Sequence, residues 1–192
     1  MLDELEARYT FKIPIIGDYA VGKTSLIHKF VQKKFSKEYK PTLGADIVLK
    51  NFKIDFNDKI YEINFQFWDI AGQSKWESLR RRYLKGSSAV IIVYDVTRLP
   101  SFYNVLGRWK EEIDNHAYES EDLRELEPIP LLLIGNKIDL QDIKNVSLDK
   151  GIEMSTKINA FKFIETSAKT GDNVNEAFSI LAKVLLESMI RK

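Results

Sequence analysis

Gly17-Asp18-Tyr19-Ala20-Val21-Gly22-Lys23-Thr24 fits the pattern Gly-x-x-x-x-Gly-Lys-(Ser/Thr). The stretch follows an apolar run and precedes a helical one, so it predicts a loop between a strand and the N-terminus of a helix. Backbone N–H groups in such a loop converge on one point, where the helix dipole also favours negative charge. We therefore expect residues 17–24, the phosphate loop, to bind a nucleoside triphosphate.

The residues of the phosphate loop have separate expected roles. Lys23 supplies a cation for the β- and γ-phosphates, and Thr24 supplies a hydroxyl for Mg²⁺. Further phosphate contacts are expected from Asp18, Tyr19, Ala20, Val21 and Gly22. Among these, Tyr19 is large for a residue that borders a phosphate group.

Length and composition limit the classes of protein to consider. The chain has 192 residues, a net charge of +1 and no cysteine. It suits one domain over residues 1–192, and its charge gives no reason to expect nucleic acid as a partner. Without cysteine the sequence has no disulfide, thiol nucleophile or prenylation site. The acidic start resembles no signal peptide and no run has membrane-spanning length, so we expect a cytoplasmic monomer.

Apolar runs alternate with amphipathic stretches, which is typical of an α/β fold with a mainly parallel sheet and helices on both faces. Strands are predicted at 9–16, 47–56, 60–68, 89–94, 129–135 and 161–165. The second and third are joined at Asn57-Asp58, which indicates a hairpin and an antiparallel strand at the sheet edge. Pro14 lies within the first strand, where it removes a ladder donor. Asn173 is the predicted cap of the last helix, with Glu176 reaching back.

The segment Trp68-Asp69-Ile70-Ala71-Gly72-Gln73 ends the third strand. An acid at this position, here Asp69, can hold Mg²⁺ through water. Gly72 lets a backbone N–H approach the γ-phosphate, and Gln73 can orient the attacking water. Alone, such a segment would be read as a simple turn.

A second group of segments predicts the base. Asn136-Lys137-Ile138-Asp139 follows the fifth strand, and a carboxylate there can accept the N1–H and 2-amino groups of guanine, a pair that adenine lacks. Thr166-Ser167-Ala168-Lys169 follows the last strand, where the N–H of Ala168 is expected to meet the guanine O6. In Tyr39-Lys40-Pro41-Thr42, a surface loop on its own pattern, Thr42 offers a second hydroxyl for Mg²⁺.

In order and spacing these segments resemble those of the Ras superfamily of small GTPases, over about residues 9–190. Val21-Gly22-Lys23-Thr24-Ser25-Leu26, the stretch from Trp68 to Gln73, and Tyr94-Asp95-Val96-Thr97 look most like the Rab branch. The resemblance implies a P-loop α/β domain with a six-stranded sheet that binds and hydrolyses GTP with Mg²⁺. It also implies effectors, an exchange factor and an activating protein as partners, and a role in membrane trafficking.

The resemblance assigns further residues. Phe35 matches the aromatic that packs against guanine, and Ser25, Lys137, Ser167 and Lys169 fall among the guanine and ribose positions. Two switch regions, around 39–42 and 69–83, would be ordered by the γ-phosphate and Mg²⁺. Tyr39, Thr42, Trp76 and Tyr83 are the expected effector contacts. For Trp76 and Tyr83 the alternative is ordinary packing of a short helix.

Tyr19 departs from the family, which has a small residue at this position. Bulk here impairs positioning of the glutamine, Gln73, and blocks an arginine supplied in trans, so we expect slow hydrolysis. The alternative is that Tyr19 turns to solvent and hydrolysis is ordinary. A persistently GTP-bound module with negligible turnover is the main rival function, and an ATP-dependent phosphotransferase, disfavoured by Asn136 and Asp139, is another.

Three other stretches leave alternatives open. Arg80-Arg81-Arg82 is interpreted as a solvated basic turn, with an arginine that acts in cis as the alternative. The acidic stretch within 115–130 is read as a solvated loop or as a partner-binding patch. The sequence stops at Arg191-Lys192 without the prenylated cysteines of the family, so either a lipidated tail has been removed, which would allow peripheral membrane attachment, or the protein is not anchored in this way.

Overall fold

Six strands form one sheet in the computed structural model, which describes residues 5–36, 41–73, 76–116 and 128–191. The strands are β1 (Leu5–Ile16), β2 (Ala45–Phe56), β3 (Lys59–Ile70), β4 (Val90–Asp95), β5 (Leu131–Asn136) and β6 (Lys162–Thr166). Their order is β2-β3-β1-β4-β5-β6, with β2 antiparallel to β3 and every other pair parallel. The predicted α/β fold with one antiparallel edge strand is confirmed. Tyr39, Lys40 and residues 117–127 of the acidic stretch lie outside the described residues.

Helices cover both faces of the sheet. They are α1 (Lys23–Gln32), α2 (Glu77–Leu84), α3 (Leu99–Asn104), α4 (Glu111–His116), α5 (Leu148–Lys157) and α6 (Val174–Ile190). A π-helical segment, Val105–Lys110, joins α3 to α4, and a 3₁₀ turn covers Gln141–Ile143. None of the described helices has the length and apolar character needed to cross a bilayer.

Each face of the sheet has its own hydrophobic core. On one face α1 and α6 pack together, and Phe178 of α6 stacks on Phe30 of α1 with the ring centroids 4.3 Å apart. On the other face Trp109 of the π-helical segment and Ile113 of α4 are fully buried. The two cores hold the sheet from both sides and leave the carboxyl ends of its parallel strands free to carry loops.

The hairpin between β2 and β3 turns where the sequence predicts it. Phe56 pairs with Lys59, so Asn57 and Asp58 form a two-residue loop. Both have positive φ, 53° and 61°. Asn and Asp tolerate this conformation, and its twist matches that of the flanking strands. This is why the pair Asn57-Asp58 predicts a hairpin.

Pro14 fits within β1 because the ladder of β1 with β4 begins only after this residue. Lys12 exchanges hydrogen bonds with Ser88, on the β4 side of β1, and alternation along the strand points the nitrogen of Pro14 to that same side. The ladder with β4 starts after the proline, at Ile15 and Ile16. Toward β3 the register is regular through Pro14, which lies opposite Trp68.

The start of α6 differs from the prediction. Asn173 is left-handed, with φ of 58°, and in the described part of the chain no side-chain hydrogen bond caps this helix. Instead the amide Nδ2 donates to the carbonyl of Glu165 at 2.8 Å. The predicted capping box is therefore wrong. The side chain ties the beginning of α6 to the end of β6, which helps to fix residues 166–173.

Candidate functional site

The phosphate loop leaves β1 at Gly17 and enters α1 at Lys23, as predicted. Two of its residues must be glycine for steric reasons. A Cβ on Gly17 would lie 2.1 Å from the carbonyl oxygen of Val93, and one on Gly22, where φ is 100°, would lie 2.3 Å from Nδ2 of Asn136. The loop is thus pressed against the ends of β4 and β5, and this contact aims the N-terminus of α1 into a cavity.

Lys23 places a buried cation in this loop. Its Nζ donates to the carbonyl oxygens of Gly17 and Asp18, each at 2.9 Å, and the residue is 7% exposed. Burial lowers the pKa of Lys23 to about 8, although the carboxylates of Asp69 and Asp18 act in the opposite direction. An ammonium with three donors, of which two meet carbonyls, still has one to give to an anion.

Three oxygen-bearing side chains meet beside Lys23. The hydroxyl of Thr24 lies 3.1 Å from that of Thr42, and both donate to Oδ2 of Asp69. Burial raises the pKa of Asp69, and its other oxygen, Oδ1, is buried with no hydrogen-bond partner among the described residues. Two hydroxyls and a carboxylate are hard oxygen donors of the kind that Mg²⁺ takes, so these residues fit the metal that the sequence predicts.

A cavity of about 570 Å³ opens over the phosphate loop. Of the predicted site residues, it is lined by Tyr19, Ala20, Gly22, Lys23, Thr24, Ser25, Phe35, Thr42, Gly72, Gln73, Asn136, Lys137, Asp139, Ala168 and Lys169. Four further residues line the cavity and were not predicted from the sequence: His28, Ser36, Ala71 and Leu140. His28 could have been predicted, because it lies one helical turn after Thr24 and so shares its face of α1.

Two phosphate-loop side chains point elsewhere. The carboxylate of Asp18 accepts hydrogen bonds from Nε1 of Trp109 and Nδ2 of Asn104, each at 2.9 Å. The side chain of Val21 is fully buried in the core. These two residues can therefore contribute to an anion site through their backbone N–H groups, while the Asp18 side chain anchors the loop to the helix behind it.

Asn136, which also lines the cavity, joins three loops. Its Nδ2 donates to the carbonyl of Val21 at 2.9 Å, and its Oδ1 accepts from the N–H of Ala168 at 3.1 Å and from the hydroxyl of Thr166. The Ala168 N–H that we expected to face a guanine O6 is thus used within the protein. This differs from the prediction because a buried carbonyl oxygen on Asn136 needs a donor.

The side chains around Asp139 are also fixed. Oδ1 of Asp139 accepts from the hydroxyl of Ser167 at 2.7 Å, and Nζ of Lys169 lies 3.4 Å from Oδ2. Nζ of Lys137 lies 2.7 Å from Oδ2 of Asp95. Although burial opposes it, hydrogen bonds from Lys137 and Thr97 lower the pKa of Asp95, so this ion pair is charged at neutral pH. Asp139, Ser167 and Lys169 therefore form one connected group, and Lys137 pairs separately with Asp95.

The second switch segment approaches the phosphate loop closely. A Cβ on Gly72 would lie 2.4 Å from the carbonyl oxygen of Gly17 and 2.7 Å from the nitrogen of Tyr19. Gln73 lines the cavity beside Gly72, and Tyr19, 45% exposed, lines it as well. Gly72, which precedes Gln73, thus lies against the backbone of Tyr19.

The predicted solvated basic turn is wrong for one of its three residues. Arg80 is 1% exposed and its Nε pairs with the carboxylate of Glu112. Arg81 is exposed and pairs with Glu77, and Arg82 is exposed. Further along α2, the ring of Tyr83 packs 4.7 Å from that of Trp68, while Trp76 is half-buried.

The family model and the individual relatives that match this chain all point to the same family. The model of the Ras family matches residues 12–187. Ras-related protein RABG3f of Arabidopsis thaliana is 40% identical over 183 residues, covering 94% of this chain and 84% of that protein. Ypt/Rab-type GTPase ypt7 of Schizosaccharomyces pombe is 38% identical, covering 95% and 85%. Ras-related protein Rab-7L1 of Homo sapiens is 42% identical, covering 95% and 84%.

Asn136 offers a direct test of how the loops are held. Asn136→Ala removes the partners of the Val21 carbonyl and the Ala168 N–H, two buried groups. We expect the free energy of unfolding to fall by roughly 2–4 kcal/mol, since each unsatisfied group costs about 1–3 kcal/mol. Urea unfolding of the nucleotide-free protein measures it, because bound GDP would add a stabilisation that depends on the GDP affinity of each variant.

The matched control is Asn145→Ala. This amide bonds the carbonyls of Thr97 and Ile143 in an exposed setting, so its loss should cost about 1 kcal/mol or less. Equal losses for the two variants would contradict the structural role assigned to Asn136.

Proposed function

The chain belongs to the Ras family as a Rab-like member, and from this membership we infer that the cavity binds GTP and GDP with Mg²⁺. The protein is a GTP-hydrolysing molecular switch. Residues 1–192 are proposed to form one domain, since both cores pack on the same sheet. The observation that carries the proposal is a single cavity that is lined by the buried ammonium of Lys23 and by Asp139.

The phosphate end is proposed to act by charge and position. Lys23 donates to the β- and γ-phosphates, and the N–H groups of the loop and the first turn of α1 surround them. Thr24, Thr42 and, through water, Asp69 would hold Mg²⁺. When bound, Mg²⁺ supplies positive charge at the phosphate oxygens. Because catalysis of phosphoryl transfer rests on positioning and electrostatics, these side chains suffice without a dedicated general base.

Gln73 is proposed to orient the attacking water. It lines the cavity directly after Gly72, whose close approach to Gly17 brings the segment against the phosphate loop. Lys23 and Gln73 are thus proposed to have separate roles in the transfer of the phosphoryl group. Lys23 stabilises the charge that develops on its oxygens, and Gln73 holds the nucleophile in line.

The switch is proposed to signal through an exposed apolar surface next to the second switch segment. Leu43, Ile47 and Leu49 are 77%, 49% and 58% exposed. Ile47 pairs in register with Trp68, which packs against Tyr83. Exposed apolar groups in one place indicate a protein interface. We propose effector binding here, with Thr42, Trp76 and Tyr39 as neighbouring contacts, and regulation by an exchange factor and an activating protein. The Rab-named relatives favour a role in membrane trafficking.

Asp139 provides the test of base recognition. Asp139→Asn replaces a pair of acceptors by one acceptor and one donor, so the 2-amino group of guanine loses its partner. We expect GDP affinity to fall by about a hundredfold or more, and xanthosine diphosphate, which has a carbonyl at that position, to bind more tightly than GDP. Competition with a fluorescent nucleotide measures both affinities.

The control for this variant is Asp142→Asn, an exposed carboxylate in the neighbouring 3₁₀ turn, which should leave GDP affinity unchanged. Unchanged GDP affinity in Asp139→Asn would refute the base assignment. Tighter binding of ATP than of GTP by the parent protein would instead support a phosphotransferase.

Tyr19 favours a second candidate function, a persistently GTP-bound effector-binding module. The supporting observation is that Tyr19 lines the cavity with Gln73, where its bulk competes for the space of the attacking water and of an arginine supplied in trans. The side chain is nearly half exposed, so the alternative that it turns to solvent also has support. GTP retained in the protein as purified would favour the persistent state, and GDP would favour the active GTPase.

Tyr19→Gly distinguishes these possibilities. If bulk hinders Gln73, single-turnover GTP hydrolysis should accelerate by about ten- to a hundredfold, the scale on which misplacement of a reacting group costs rate. Tyr19→Phe keeps the bulk without the hydroxyl and should hydrolyse GTP at the parent rate. Equal rates of hydrolysis for Tyr19→Gly and the parent protein would refute the proposal that the bulk of Tyr19 hinders Gln73.

A further inference from the structure

Arg80 contacts the backbone on both sides of Gly72. Its Nη1 donates to the carbonyl of Ala71 at 3.2 Å and to the carbonyl of Gln73 at 2.8 Å. Its Nε donates to both carboxylate oxygens of Glu112, at 2.9 and 3.1 Å. One buried guanidinium therefore connects the segment that carries Gln73 to helix α4, which lies behind it.

The same guanidinium is linked to the phosphate loop. Its central carbon lies 5.2 Å from the ring centroid of Trp109, a fully buried residue. On the far side, Nε1 of Trp109 donates to the carboxylate of Asp18. A continuous path of contacts thus runs from the carbonyl of Gln73 through Arg80 and Trp109 to Asp18, so that Gln73 and the phosphate loop share one rigid support.

Stability alone is a poor explanation for this pair. Desolvation of two charges offsets most of their attraction, and buried ion pairs are often replaceable by apolar groups. The Nη2 atom of Arg80 is buried and has no hydrogen-bond partner among the described residues, so the guanidinium is not fully satisfied. What the pair does provide is geometry, because the planar donors of arginine fix several acceptors at once.

We propose that Arg80 is a positioning residue for GTP hydrolysis, which holds Gln73 in its place relative to the phosphate loop. The inference rests on the proposed role of Gln73 in orienting the attacking water. By fixing the carbonyls of Ala71 and Gln73, Arg80 restricts the backbone from which the Gln73 side chain projects. Through Trp109 and Asp18 it sets that backbone against the loop around the γ-phosphate. Arg80 itself does not line the cavity.

The test combines Arg80 variants with Gln73→Ala in a double-mutant cycle. Arg80→Lys keeps a charge for Glu112 but cannot reach both carbonyls as well. The double variant Arg80→Met/Glu112→Met removes the pair without leaving an unpaired buried charge, and it serves if Arg80→Lys does not fold. Arg81→Lys, which perturbs the exposed pair with Glu77, is the matched control. Single-turnover GTP hydrolysis, GDP affinity and Tm are measured for each variant.

We expect Arg80→Lys and the Met/Met variant to slow hydrolysis by about ten- to a hundredfold when Gln73 is present. GDP affinity should be unchanged, and the Arg81→Lys control should keep the parent rate. In the Gln73→Ala background the Arg80 variants should slow hydrolysis no further, because the group they position is gone.

Three results would overturn the inference, and they are distinguishable. If the Arg80 change slows hydrolysis by the same factor in the parent protein and in Gln73→Ala, then Arg80 does not act through Gln73, and the slower rate reflects a general loosening of the site. Arg80 variants at the parent rate, while Gln73→Ala is slow, would refute the role of Arg80 and leave that of Gln73 intact. Parent-like hydrolysis by Gln73→Ala would overturn both this inference and the proposed role of Gln73.

Discussion

The buried ammonium of Lys23 is the charge around which the site is arranged. Folding takes this cation out of water and offers it two backbone carbonyls, and the pKa falls from 10.5 to about 8. A shift of this size corresponds to about 3 kcal/mol of differential cost for the charged form. Lys23 is therefore a poorly solvated cation, and a phosphate group is a partner that relieves the cost. Part of the free energy of nucleotide binding would therefore come from relief of the desolvation cost of Lys23.

The rest of the structure serves to hold that loop in place. Glycines at 17 and 22 let it press against β4 and β5, and Asn136 joins it to the loop after β6. On the opposite side, Asp18 and Arg80 both reach the helix that runs through Trp109. The polar groups at the carboxyl ends of the parallel strands thus converge, as expected for this class of sheet, and each is held by a contact from a different part of the chain.

Local signals explain what the sequence predicted well. The strands follow from apolar runs and the hairpin from Asn57-Asp58. The predicted site residues come from segments whose chemistry is complete within a few residues, and most of them line one cavity. The failures concern partners that are distant in sequence or decided by the backbone. Arg80 looks solvated within a run of three arginines until Glu112, 32 residues away, is seen beside it. The sequence also gives no indication that the carboxylate of Asp18 accepts a hydrogen bond from Trp109, 91 residues away. The left-handed conformation of Asn173 is a backbone property that a capping pattern does not predict.

Proton uptake on nucleotide binding is the most direct test of the account that a desolvated Lys23 awaits a phosphate. Because burial lowers the pKa of Lys23 to about 8, its side chain is partly neutral near that pH, and bound phosphates would raise the pKa and return the proton. Calorimetric titration of nucleotide-free protein with GDP, in buffers of different ionisation enthalpy, should show net proton uptake at pH 8. This uptake should be absent at pH 6.5, where Lys23 is already protonated and the terminal phosphate of GDP releases protons on binding. Binding with the same proton balance at both pH values would contradict the account.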